Sequence, residues 1–307
     1  MSVSRYSPTL LTPPREEEEI YPYRRVWTSV IIENGILFGA AIVFFVVYNI
    51  LGISLPSVIT APLNLALALL PAILWLTFSY YRERFSLEPR RNLLLVFVVS
   101  ALSANAIGIP LVDQFLGVKE WLSLSSATDR ILGYTFTIGI VQETIKYIII
   151  RYIAWEDGFR IRRDAIAYAA ASAVGYATVL NLYFITDGSP PPNLVIFRII
   201  STIAIHTSAS IIISYGLTEL RFNPSTPILM PFTLLVATLL TGIAIPFRSG
   251  LVNAGFFLGI AQTNVLFGIV FSAGVLVAPL FAISFLYENA ERRQREAEIE
   301  AEIRGSA

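Results

Sequence analysis

Eight long apolar runs alternate with short polar segments along the chain, at about 33–54, 59–80, 93–117, 131–154, 165–186, 194–218, 227–247 and 257–287. Each is near the roughly 20 residues that a helix needs to cross a bilayer. Breakers mark several boundaries: Pro56, Pro62, the run Ser189-Pro190-Pro191-Pro192, and Asn223-Pro224. Pro110 predicts a kink inside the third run. The eighth run is long enough to tilt or to continue past the membrane. From Glu288 the chain turns to Glu, Arg, Ala and Ile, so 288–307 predicts a charged helix or tail in solvent. Residues 1–27 are polar, contain proline and include Arg15-Glu16-Glu17-Glu18-Glu19. They read as a tail before the first span rather than as a cleavable leader. The fold class predicted is therefore all-α, a polytopic transmembrane helix bundle over 28–287 with about eight spans and no internal repeat.

Composition strengthens that picture. Of 307 residues, 55% are hydrophobic and only 14% are charged, where a soluble domain would carry about a quarter. The chain has no cysteine, which excludes disulfides, iron–sulfur clusters and thiolate metal sites. A single histidine excludes bis-histidine haem ligation and the usual multi-histidine metal sites. Acidic and basic residues balance, and nothing in the charge pattern points to nucleic acid. Their placement is more informative than their sum. With the N-terminus inside, 17 of the 22 Lys and Arg fall in inside segments and 3 (Lys119, Arg130, Arg248) fall outside. The remaining two, Lys146 and Arg198, lie within spans. That bias predicts both termini on the cytoplasmic side of the plasma membrane and requires an even number of spans.

Charges inside a bilayer are costly, at least about 2.5 kcal/mol each on insertion scales, so each needs a reason. The fourth run contains Gln142-Glu143-Thr144-Ile145-Lys146. Glu143 lies about 18 Å in from the outer end, and Lys146, three residues on, shares its helix face. The two can form an internal ion pair or serve chemistry. In the sixth run Arg198, Thr202, His206, Ser210 and Ser214 recur every four residues. This draws one polar stripe that must face other helices or a water-filled cavity. His206 is about 18 Å deep, level with Glu143. The fifth run, from Asp164, is mostly small residues around Tyr168 and Tyr176, with Gly175 suited to close helix approach and Asn181 polar and deep. Asn64 and Gln262-Thr263-Asn264 read as interhelical hydrogen-bonding groups.

The order of these elements resembles the PrsW family of intramembrane proteases, distantly similar to the CPBP group with its CAAX prenyl endopeptidases. The family pattern is Glu-Glu-x-x-Lys in one span, a basic loop, Asp-Gly-x-x-Tyr-Gly opening the next, then a Gly-aromatic pair and Glu-Asn, then Arg and His. Here it reads Gln142-Glu143-x-x-Lys146, Asp164-Ala165-x-x-Tyr168-Ala169, Gly175-Tyr176, Leu180-Asn181, Arg198 and His206, covering roughly 135–215. Gln142 and Leu180 replace two of the family's three intramembrane carboxylates, and Ala165 and Ala169 replace its glycines.

The resemblance implies an endopeptidase acting on a membrane-protein substrate in lipid. Its catalytic candidates are Glu143 as base and His206 as second proton carrier or oxyanion donor. Gln142, Lys146, Tyr168, Asn181 and Arg198 are candidates for positioning substrate or water. Glu143, His206 and Asn181 make a poor zinc set, so no cofactor and no tight metal is expected, with a weakly held metal at Glu143 and His206 left open. The reduced carboxylate set keeps a second reading in play, a non-catalytic member of the fold that binds a membrane partner. A small-molecule transporter is a third.

Overall fold

A bilayer offers the backbone no hydrogen-bond partner, so apolar runs of this length must become helices. The computed structural model describes residues 26–53, 55–85, 89–122, 126–186, 190–223, 227–253 and 265–305, and these hold eight long helices. They are α1 (Val26–Ile50), α2 (Val58–Arg84), α3 (Leu93–Phe115), α4 (127–153), α5 (Asp164–Thr186), α6 (Pro192–Phe222), α7 (Leu229–Asn253) and α8 (Val265–Gly305). The all-α bundle is as expected. Most of the N-terminal tail, the Gln262-Thr263-Asn264 group and the start of the eighth run lie outside the described residues.

Seven of the eight are long and apolar enough to cross a membrane. The exception is α4, whose apolar run is interrupted by Gln142, Glu143 and Lys146. Its helix is nonetheless continuous, with a π-helical turn at Thr135–Gly139 between two α-helical parts. Its last carbonyl, Ile153 O, accepts from Asn92 Nδ2 at the start of α3 (3.2 Å). So α4 returns the chain to the end of the bundle from which α3 departs.

Helix α6 is the axis. It starts on Pro192, whose missing N–H costs nothing in a first turn, and almost all its side chains are buried. Helices α5, α7, α8, α1 and α2 pack around it, and α3 covers the other side of α5. Outward faces carry Ile31, Val58, Leu102, Val270 and Phe281, apolar groups suited to lipid. Gly175 lets α5 approach α3, since a Cβ there would sit 2.3 Å from Phe97 O. In α8, Pro279 has no N–H to give Val275 O, and Ser208 of α6 donates to it instead (2.9 Å).

One end of the bundle gathers the basic loops and ties them by ion pairs. Arg90 bridges Glu83 (2.6 Å) and Asp164 (2.9 Å), Arg162 pairs with Glu219, and Arg163 pairs with Glu291 (3.1 Å). The last of these docks the charged end of α8, which runs unbroken for 41 residues. At 1.5 Å per residue that is roughly 60 Å, well past a bilayer core.

The first helix begins about two turns earlier than its apolar run suggested. Its polar residues are satisfied inside the bundle: Ser79 Oγ donates to Glu33 Oε1 (2.5 Å), and Asn34 Nδ2 donates to Val30 O (2.8 Å). Pro110 is flanked by π-helical turns, Ala104–Gly108 and Leu111–Phe115.

Candidate active site

The site forms where α4, α6 and α7 meet. Two glycines bring α4 and α7 together: a Cβ on Gly139 would lie 2.7 Å from Thr238 O, and one on Gly242 would lie 2.0 Å from Thr135 Oγ1. That closeness lets Thr241, beside Gly242, reach across. Thr241 Oγ1 donates to Glu143 Oε1 (3.0 Å). Glu143 Oε2 pairs with Lys146 Nζ (2.8 Å), and both side chains are fully buried. Lys146 Nζ also lies 3.2 Å from His206 Nδ1 and 3.5 Å from His206 O. The sequence alone puts Glu143 and Lys146 on one face. The structure adds His206, 60 residues away, to the same chain of contacts.

An ammonium has only protons to give. With Lys146 charged, Nδ1 of His206 accepts and the ring proton is assigned to Nε2. The ring leans on Tyr176, with centroids 5.5 Å apart. Beside it opens a cavity of about 290 Å³, walled by Gln142, His206, Thr202, Arg198 and Arg248 among apolar residues of α3, α4, α5 and α7. Its rim carries Asp113 and Tyr183, joined at 2.9 Å. These rim residues stand at the helix ends opposite the basic loops, so the cavity belongs to that half of the bundle.

Two atoms of its lining residues, Gln142 Oε1 and Arg198 Nε, are buried with no protein partner, as are, elsewhere on α5 and α6, both amide atoms of Asn181, Tyr176 OH, Thr207 Oγ1 and Ser210 Oγ. Unpaired groups at this density mark a place built to hold water or a polar ligand. Of the polar stripe on α6, Arg198, Thr202 and His206 face the cavity, while Ser214 bonds within its own helix (2.7 Å) near Tyr287.

Two placements differ from a simple reading of the motif. Tyr168 sits at the basic end, donating to Arg91 O (2.6 Å) and stacked on Phe159, away from Glu143. Gln142, not Glu143, is on the cavity wall, and at Leu180 the wall is apolar. Sequence reasoning missed Thr241 and assigned Arg248 to an outer loop. Helix α7 runs on to Asn253, and the Arg248 guanidinium turns inward to Ser201 Oγ (3.2 Å). The signal available was the continued apolar spacing through Ile245, Phe247 and Leu251, which the charge masked. Glu33 was missed as well, because it stood at the assumed edge of its span.

A catalytic zinc takes three protein ligands from His, carboxylate or Cys. Among the described residues no group of three such side chains comes together. The candidate pair, Glu143 and His206, already has Lys146 Nζ in contact with both members, where a cation would sit. The donor set therefore does not fit a tightly held catalytic metal.

Comparison with known proteins agrees with this arrangement of elements. Residues 88–284 match the model of the "PrsW family intramembrane metalloprotease". The match begins before α3 and ends in α8, much wider than the 135–215 stretch of motifs. Protease PrsW of Geobacillus kaustophilus (strain HTA426) is 23% identical over 154 residues, 50% of this chain and 64% of that protein. Protease PrsW of Oceanobacillus iheyensis is 24% identical over 180 residues, 55% of this chain and 78% of that protein. Protease PrsW of Shouchella clausii (strain KSM-K16) is 27% identical over 159 residues, 51% of this chain and 69% of that protein. The chain thus spans just under two thirds of the Geobacillus relative's length. No solved structure matches it. With the family model matched over residues 88–284, well over half of its length, the chain belongs to the PrsW family.

Proposed function

We propose that this protein is an intramembrane endopeptidase that hydrolyses one peptide bond of a membrane-protein substrate, running on Glu143 and His206. The observation that carries the reading is the unbroken contact chain from Thr241 through Glu143 and Lys146 to His206, ending on the wall of a polar cavity. Glu143 takes a proton from water as the hydroxide adds to the scissile carbonyl carbon. The carbonyl oxygen, now an oxyanion, accepts from Nε2–H of His206. Glu143 then passes its proton to the leaving nitrogen as the C–N bond breaks, and carboxyl and amine products separate. Lys146 holds both groups and fixes the histidine tautomer. Gln142 and Asn181, each with unpaired buried amide atoms, position the water and the substrate backbone. Arg198 lies two helical turns above His206. Tyr168 contributes by tying the loop before α3, through Arg91 O, to the loop before α5, through Phe159, not by touching substrate. Glu143 has no exposed surface in this arrangement, so the cycle includes an opening that admits one water.

The same closure favours a second reading. Gln142 on the wall can bind a carbonyl but cannot act as a base, so a non-catalytic member of the family would bind a membrane partner in this cavity. We place the protein in the plasma membrane with both termini cytoplasmic, which sets the cavity mouth on the outer side.

Co-expression with a panel of single-span reporters separates the two readings. Cleavage that Glu143→Gln abolishes, and that His206→Ala reduces by about 10²-fold or more, is the expected outcome. A folded wild type and a Glu143→Gln variant that capture the same partner equally well, with no cut product, would establish the binding protein instead. Because Lys146 occupies the cation position, cleavage in washed membranes is expected to survive strong chelators, and loss restored by zinc would overturn that point.

A further inference from the structure

The cavity holds two guanidiniums that neither the ion pair nor the hydrolytic step uses. Arg198 and Arg248 both line it, from α6 and α7. Arg248 is 5% exposed and donates to Ser201 Oγ at 3.2 Å. Arg198 packs over the Phe184 ring (5.2 Å to its centroid), and its Nε is buried with no partner. A guanidinium carries five N–H donors, and among the described residues Ser201 is the one protein acceptor that these two find. Neither has a carboxylate partner there. Asp113, at the rim, bonds to Tyr183 instead. Arg248 is buried and Arg198 half-buried, and a guanidinium taken out of water without an anion beside it is costly.

We infer that Arg198 and Arg248 form a subsite for one carboxylate side chain of the polypeptide bound in the cavity, an Asp or Glu on the side of the scissile bond nearer the cavity mouth. This deepens the proteolytic reading and rests on the same cavity being the substrate's place. Two planar forks from different helices suit bidentate recognition of a carboxylate. Arg198 stands two turns from His206, about 12 Å along α6. An extended chain covers that in three to four residues at roughly 3.3 Å each, which sets the acidic residue's spacing from the cut bond. A lipid phosphate shares the chemistry. The position below the helix ends and the volume of about 290 Å³ favour a short peptide segment over a headgroup with its chains.

Binding tests this without relying on cleavage. The full-length Glu143→Gln protein in phosphatidylcholine nanodiscs is titrated with fluorescent single-span peptides carrying Glu, Gln or Lys at stepped positions. Glu at one position is expected to bind about tenfold or more tighter than Gln. Arg248→Gln should remove the preference and Arg248→Lys should keep part of it. Equal affinity for Glu and Gln peptides, or no binding, overturns the subsite. Preference that disappears in phosphatidylglycerol discs, with that lipid co-purifying in an Arg248-dependent way, assigns the site to a phosphate and overturns the peptide reading. Wild-type cleavage without the Glu preference would leave proteolysis standing and remove this inference. Preference without cleavage would do the reverse.

Discussion

Lys146 makes the sharpest demand at the scale of single residues. Its ammonium is fully buried and touches both Glu143 and His206. Removing one member of a buried ion pair strands the other charge, at a cost of about 3–5 kcal/mol. Lys146→Met is therefore expected to lower the melting temperature in detergent sharply, while the double variant Glu143→Gln/Lys146→Met recovers most of it. A single variant as stable as the double one would mean that the pair is not ionic. Glu143 and Lys146 were legible in sequence because an (i, i+3) pair shares a helix face, and the stripe on α6 was legible because polar groups recurred every four residues. Contacts across 60 or 98 residues, to His206 and Thr241, could not be read from spacing. Arg248 was lost for a different reason. A hydropathy reading ends a span at a charge, while the protein kept the helix going by giving that charge Ser201 inside the bundle.

Among elements, the α4–α7 crossing decides whether the site exists. Gly242 faces Thr135, with its virtual Cβ 2.0 Å from Oγ1 and 2.5 Å from the Thr135 Cα. Because backbone is among the atoms in the way, no rotamer change relieves the clash. Gly242→Ala should cost about 1–3 kcal/mol by overpacking and push Thr241 away from Glu143. The expected result is a lower melting temperature together with reduced reporter cleavage. Thr241→Val, which keeps the crossing, should reduce cleavage with a smaller stability loss. Equal effects of the two variants on cleavage and stability would show that Thr241 serves packing alone. The helices themselves were plain in the sequence, since a bilayer leaves an apolar run one solution. Which pairs touch was not, because small residues such as Gly139, Gly242 and Gly175 signal close approach without naming the partner.

The whole molecule turns on α4, the helix with the weakest claim to cross a membrane by composition. Its end meets the start of α3 through Asn92 and Ile153, and loops from α2, α4, α6 and α8 are ion-paired at one end. If α4 crosses, the bundle has eight passes and the charged end of α8 lies on the same side as the α2–α3 loop. The cysteine-free sequence gives a clean test. Single cysteines replace Ile53 and Glu120 at the cavity end, and Phe85 and Arg292 at the basic end. Ile53→Cys and Glu120→Cys should react with an impermeant maleimide in intact cells, while Phe85→Cys and Arg292→Cys should react only after permeabilisation. Labelling of Arg292→Cys alone among the basic-end pair would mean that α4 fails to cross. That outcome would also separate Arg90 from Asp164, so their 2.9 Å ion pair and the eight-pass topology stand or fall together. Labelling of both basic-end positions with protection of both cavity-end ones would keep the bundle and invert it, turning the cavity mouth toward the cytoplasm and changing which part of a substrate could reach His206.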